Sequence, residues 1–171
     1  ICRGYGGIIC NSSHHKQIFR IIAICLYGNG HFFCCFHINH FNFWDWWKRR
    51  HTPKSEPNQP RVVLFVDTFN GYNEPWVAQS AVRILERLGY AVTIADRLCC
   101  GRPMMSKGLS DLAKKHAMDN INRLRRFLAD EVPIVGLEPS CILSFRDDYF
   151  SLVDDPDLPA LAKLCLTLEE F

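Results

Sequence analysis

The hydrophobic pattern divides the chain near residue 44. Before that point apolar residues are abundant but follow neither a helical spacing nor a strand alternation. After residue 60 the pattern becomes regular. Residues 62–66 form a continuous, mostly β-branched run, which predicts a strand buried on both faces of a parallel sheet. A turn-rich loop, 67–73, follows. Asn73 reads as a helix cap with Pro75 in the first turn. Val77, Ala81, Ile84, Leu85 and Leu88 then share one helical face, and Gly89 marks the stop. Residues 90–95 predict a second strand. A second helix, capped by Ser110, carries Leu112, Ala113, Ala117, Ile121, Leu124 and Leu128 as its buried stripe. Lys114, Lys115, Arg123, Arg125 and Arg126 form its wet side. Residues 133–137 predict a third strand, and a short helix is expected to run on to about Tyr149. Leu161, Leu164, Cys165 and Leu168 read as a last apolar helical stripe, with Cys165 a packing residue.

Strands alternating with helices predict an α/β fold with right-handed crossovers. The expected architecture is a three-layer, parallel-sheet βαβαβ half-domain, preceded by an irregular N-terminal segment. This fold class has a chemical consequence. The loops 67–73, 98–105 and 138–144 each follow a strand, so all three emerge at the carboxyl edge, where open α/β sheets bind ligands. Cys99, Cys100 and Cys141 lie on two of these loops and are expected to meet there.

Composition narrows the chemistry. A formal net charge of +2 gives no electrostatic case for a nucleic-acid partner. The best apolar run, 18–27, is broken by Arg20 and is shorter than the roughly 18–20 residues a bilayer span needs, so no transmembrane segment is expected. Nine cysteines are an odd number, which disfavours a closed disulfide framework. No small-residue cleavage site follows the apolar start, so the thiols are expected to be reduced and the chain cytoplasmic. In that compartment a cysteine cluster more often serves metal binding or catalysis than structure.

Three regions follow. Residues 1–43 are a Cys/His-rich leader without Asp or Glu, expected to stay outside the fold. Its cysteines and histidines lack CxxC or HxxxH spacing, which weighs against a metal site there. Residues 44–60 read as an amphipathic connector and a proline-rich linker. Residues 61–171 hold the regular domain.

Cys99 and Cys100 are adjacent and ill-suited to bond each other. Their Cα atoms are about 3.8 Å apart, while a disulfide prefers about 4.4–6.8 Å. Both can reach one centre if the backbone turns sharply; Gly101 permits the turn and Pro103 stiffens it. Cys141 is expected at a helix start, where the positive helix end favours a thiolate.

The strings VDTFNGYNEP (66–75), LCCGRPMMSKG (98–108) and VGLEPSC (135–141) resemble the cysteine-rich (CCG) domain of iron–sulfur oxidoreductases. The likeness is above all to the C-terminal iron–sulfur part of FAD-linked oxidases related to D-2-hydroxyglutarate and D-lactate dehydrogenases. It covers about the last two-thirds of the chain. The resemblance implies that Cys99, Cys100 and Cys141 are ligands of an iron–sulfur centre, a [4Fe–4S] cluster in the fullest case. Gly101, Pro103, Glu138 and Pro139 would shape the loops, and Arg102 and Lys107 would contact an anionic substrate or cluster. A flavin-containing domain or subunit would be the partner, with association to a membrane only peripheral, through the electron acceptor. The chain departs from the fullest motif in two places. The first loop offers Asp67, Thr68 and Asn70 where a cysteine can stand, and Ser144 replaces the second cysteine of a CxxC. Three thiols leave a four-cysteine cluster one ligand short. The family domain is usually duplicated, so a fragment is expected. No Gly-rich phosphate loop follows a strand, and the chain alone is not expected to oxidise a substrate. A second reading stays open: a zinc-holding or metal-free docking module, with Asp67 or a histidine completing a tetrahedral zinc set.

Overall fold

A computed structural model describes residues 41–50, 56, 58–95 and 99–171. The expectations for leader residues 1–40, and for most of the proline-rich linker, lie outside the described residues. The elements run in the order α1 (Phe43–Arg49), β1 (Arg61–Phe65), α2 (Thr68–Tyr72), α3 (Pro75–Arg87), β2 (Ala91–Ile94), α4 (Arg102–Met105), α5 (Ser110–Leu124), β3 (Ile134–Gly136), α6 (Pro139–Ile142), α7 (Asp148–Leu152), α8 (Leu158–Leu164) and β4 (Cys165–Thr167).

The sheet has four strands in the order β2-β1-β3-β4, and every pairing is parallel. The register sets Val63 between Thr93 and Ile134, and Gly136 beside Thr167. Alternation along β1 feeds two apolar layers. Val63 and Phe65 join Ala117, Ile121, Leu124, Phe145, Leu158 and Leu161 in one core. Val62 and Leu64 point the other way, toward the face that α3 covers. The expected three-layer α/β fold is the one observed.

Several local expectations change. The loop after β1 is a short helix, α2, because the Asp67 carboxylate accepts Phe69 N–H at 2.8 Å and Asn70 N–H at 3.0 Å and so caps it. Asn73 therefore ends α2 instead of starting α3, which begins at Pro75 behind Glu74. The buried face of α3 is Ala78, Ala81, Val82 and Leu85; Ile84 and Leu88 are exposed. Ser110 is the first residue of α5 and does not cap it. The single helix expected up to Tyr149 is broken into α6, a 3₁₀ turn at Leu143–Phe145, and α7. Cys165 begins a fourth strand instead of continuing a helix. The connector is a helix as well. Asn42 caps α1 by accepting Asp45 N–H at 3.0 Å, and Phe43 and Trp44 are buried. Arg50 ties it down: its guanidinium meets Glu86 of α3 at 2.6 Å and lies over the Trp46 and Trp47 rings.

Candidate functional site

The chain leaves β1 toward β2 and leaves β3 in the opposite direction, toward β4. The carboxyl ends of β1 and β3 thus form a topological switch point, the crevice that open α/β sheets use for ligands. Three segments converge there. The segment after β1 brings Thr68, the one after β2 brings Cys99 and Cys100, and the one after β3 brings Cys141.

The sulfurs of Cys100 and Cys141 lie 3.1 Å apart. The Cys99 thiol interacts with the Cys100 thiol, the Gly101 backbone and the Thr68 side chain. The three cysteines read from the sequence are therefore close together, and all are free thiols. Cys100 is buried, while Cys99 and Cys141 are partly exposed. The hydrogen bond to Cys141, with burial added, pushes the Cys100 thiol up to about 12. Bonding to Cys100, then burial, pushes Cys99 up as well. Both shifts favour the protonated thiol. A metal held here must displace their protons, so its binding is pH-dependent.

Two local devices hold the cysteine loops. After β2, Gly101 takes a left-handed φ of 85° and ends the dipeptide in a turn that opens α4, with Pro103 in its first turn. A Cβ at Gly101 would sit 3.3 Å from the Cβ of His116. After β3, Glu138 caps α6: its carboxylate accepts Ser140 N–H at 3.3 Å and Ser140 Oγ–H at 2.7 Å, while its carbonyl accepts Cys141 N–H at 3.0 Å. Pro139 is the exposed first residue of this single turn. Cys141 thus sits inside a four-residue turn, not at the head of a developed helix. Gly136 lets this turn lie on the sheet, because a Cβ there would overlap Ile142 and stand 2.8 Å from its Cγ1.

The other expected residues are placed differently. Arg102 is paired with Asp148 at 2.6 Å, and Lys107 is exposed beyond α4. Ser144 is buried, with its hydroxyl within hydrogen-bond reach of the Ser140 carbonyl (2.8 Å) and Asp148 (3.0 Å). Asp67 is 2 % exposed, and its carboxylate accepts the two capping bonds and the Asn70 amide at 2.6 Å. Sequence reasoning missed Asn120 and Tyr149. Asn120 Nδ2 donates to the Cys99 carbonyl at 2.9 Å and to Tyr149 Oη at 2.7 Å, and Tyr149 donates to the Cys100 carbonyl at 2.7 Å. A signal existed: Asn120 lies between Ala117 and Leu124 on the apolar stripe of α5, where an amide is out of place.

Donor chemistry and donor number give different answers about a metal. Three thiols are soft ligands suited to iron–sulfur centres or zinc. Yet among the described residues no group of three or more His, Cys, Asp or Glu is arranged to hold a metal ion. Two thiolates on one tetrahedral zinc would stand about 3.8 Å apart for Zn–S bonds of about 2.3 Å. The 3.1 Å separation is closer than that and longer than the roughly 2.05 Å of a disulfide. A zinc ion bound by both sulfurs would therefore require the Cys100–Cys141 contact to open.

Comparison with known proteins agrees with this geometry. Residues 66–146 match the family model for the CCG cysteine-rich domain, and this segment is such a domain. Relatives include one of the subunits of the anaerobic glycerol-3-phosphate dehydrogenase of Escherichia coli, 26% identical over 105 residues, 60% of this chain and 26% of the relative. D-2-hydroxyglutarate dehydrogenase of Pseudomonas putida is 30% identical over 108 residues, 63% of this chain and 10% of the relative. An uncharacterized iron–sulfur protein of Methanococcus maripaludis is 26% identical over 95 residues, 55% of this chain and 19% of the relative. The chain thus spans about a quarter or less of these three proteins. No solved structure matches it significantly. Among the described residues no helix is long and apolar enough to cross a membrane.

Proposed function

We propose that this chain is the cysteine-rich electron-transfer domain of an FAD-linked oxidoreductase acting on 2-hydroxy acids. Cys99, Cys100 and Cys141 are its thiolate ligands to an iron–sulfur centre of the [4Fe–4S] type, and the remaining ligand comes from outside the described residues. The observation that carries this reading is the meeting of Cys100 and Cys141 sulfurs at 3.1 Å, beside Cys99, at the switch point of the sheet. Such a centre supplies one-electron relay between a flavin and an acceptor. The chain's own part is to converge the thiols, shield Cys100 from solvent and fix both loops through Gly101 and Glu138. The partner is a flavin-containing domain or subunit; one relative is itself named as a subunit, and the chain covers about a quarter or less of the dehydrogenase relatives. A cytoplasmic location, peripheral to any membrane-bound acceptor, suits a site built from free thiols.

Anaerobic purification after expression with added iron tests the proposal. Expected are iron in the purified chain and broad visible absorption, both lost in Cys141→Ser. Zinc without iron in the same preparation would support the docking-module reading. A chain with neither metal, and no gain on reconstitution with iron and sulfide, would overturn the ligand assignment.

A further inference from the structure

We propose that Asn120 and Tyr149 are a positioning pair that fixes the Cys99–Cys100 backbone and thereby turns both thiols toward one place. Both side chains are fully buried, one on α5 and the other on α7. The logic of their protons is tight. A phenol has one proton, and Tyr149 gives it to the Cys100 carbonyl at 2.7 Å. Toward Asn120 it can only accept. The Cys99 carbonyl can only accept too. Both neighbours therefore demand the NH₂ side of the Asn120 amide, which fixes its orientation.

The result is that two successive carbonyls are held by one buried pair. In an extended segment successive residues point to opposite faces, so neighbouring cysteines would ordinarily diverge. Anchoring both carbonyls to the same pair enforces a turn at the dipeptide, continued by Gly101 in its left-handed conformation over Ala113 and His116 of the same helix α5. The arrangement has a cost. Asn120 Oδ1 is buried without a hydrogen-bond partner. An apolar pair of similar shape would remove that penalty but leave the Cys99 and Cys100 carbonyls without these donors. The bonds the pair makes beyond itself go to the two cysteine carbonyls, which is the connection that placement of the thiols requires.

The inference rests on the ligand reading only for its metal readout; its thiol readout needs no metal. The variants are Tyr149→Phe, which removes one hydroxyl, Asn120→Leu, and the two combined. Circular dichroism and thermal unfolding establish that each is folded. In reduced, metal-free protein, iodoacetamide labelling resolved by mass spectrometry should show Cys99 and Cys100 reacting about fivefold faster or more, the factor that loss of one ordinary hydrogen bond implies. Cys165 should keep its wild-type rate. Iron retained after reconstitution should fall in the same variants. Unchanged labelling of Cys99 and Cys100 in folded Tyr149→Phe would overturn the inference, even if Asn120→Leu fails to fold. Equal acceleration at Cys165 would overturn it too, because that is general loosening. Faster labelling of Cys99 and Cys100 in a protein whose wild type never holds iron would leave the positioning pair standing and remove the ligand reading.

Discussion

Cys141 and Cys165 flank the same strand and differ in almost everything else. Cys165 is the first residue of β4 and pairs with Ile134, the first residue of β3. Cys141 comes after β3 has ended, on the turn that α6 makes over its carboxyl edge. Cys165 is fully buried within the apolar core, and burial pushes its thiol up to about 12. Cys141 is partly exposed and meets another sulfur. Burial alone therefore makes a packing cysteine. A thiol becomes chemistry when the topology brings loops from separate strands to the same edge.

The strongest challenge to this contrast is Gly136→Ala. The new methyl would overlap Ile142, so α6 must lift from the sheet. Overpacking of this kind costs about 1–3 kcal/mol and occasionally more; here the upper end is expected, read from urea unfolding. Cys141 should also separate from Cys100, seen as faster labelling of both. Next come the matched serine variants. Cys165→Ser leaves a hydroxyl in an apolar core and should lose about 1–3 kcal/mol while keeping any bound iron. Cys141→Ser should lose iron with little change in stability. The reverse pattern would invert the comparison. Gly101→Ala forces a side chain into left-handed backbone beside His116, at about 1–2 kcal/mol. A smaller loss in urea unfolding would show that the turn can relax. The smallest effect concerns pH. Burial lowers the His116 pKa below its ordinary 6.5, so the unfolded chain takes up the proton more readily. Stability should be complete above 6.5 and decline as pH falls through and below it. A His116→Gln variant should show a shallower decline in melting temperature between about pH 7.5 and 5.5, the range around the ordinary histidine pKa.

What the sequence discloses follows from length and repetition. β1 is legible because five residues of mostly apolar character sit between a linker and a turn. The stripe of α5 repeats over four turns and is legible almost residue for residue. β4 is not legible: its three residues are too few to establish a period, and they follow a helix whose apolar spacing runs into them. α2 is hidden by the turn-forming residues Asn70 and Gly71, although Asp67 is an ordinary N-cap signal. Of the site, the three cysteines and the edge where they meet are legible from residue type and topology. Of the buried pair, Asn120 shows as an amide on the apolar stripe of α5, whereas nothing in the sequence ties it to Tyr149, 29 positions away on another helix. Arg102 looks like a ligand contact in the sequence because Asp148, its partner, lies 46 positions away.

The sheet order also sets a sequence of events. Val63 in β1 pairs with Ile134 in β3, so the central strand pair closes a loop of about seventy residues that includes β2 and two of the longer helices. Loop-closure entropy makes such distant parallel pairing slow relative to helix formation. During refolding, α3 and α5 can form early, but Cys141 cannot meet Cys100 until β3 has joined β1. Meeting of the Cys100 and Cys141 loops therefore waits on this long-range closure. Loading of any centre they share belongs to the folded chain, after the backbone has finished its work.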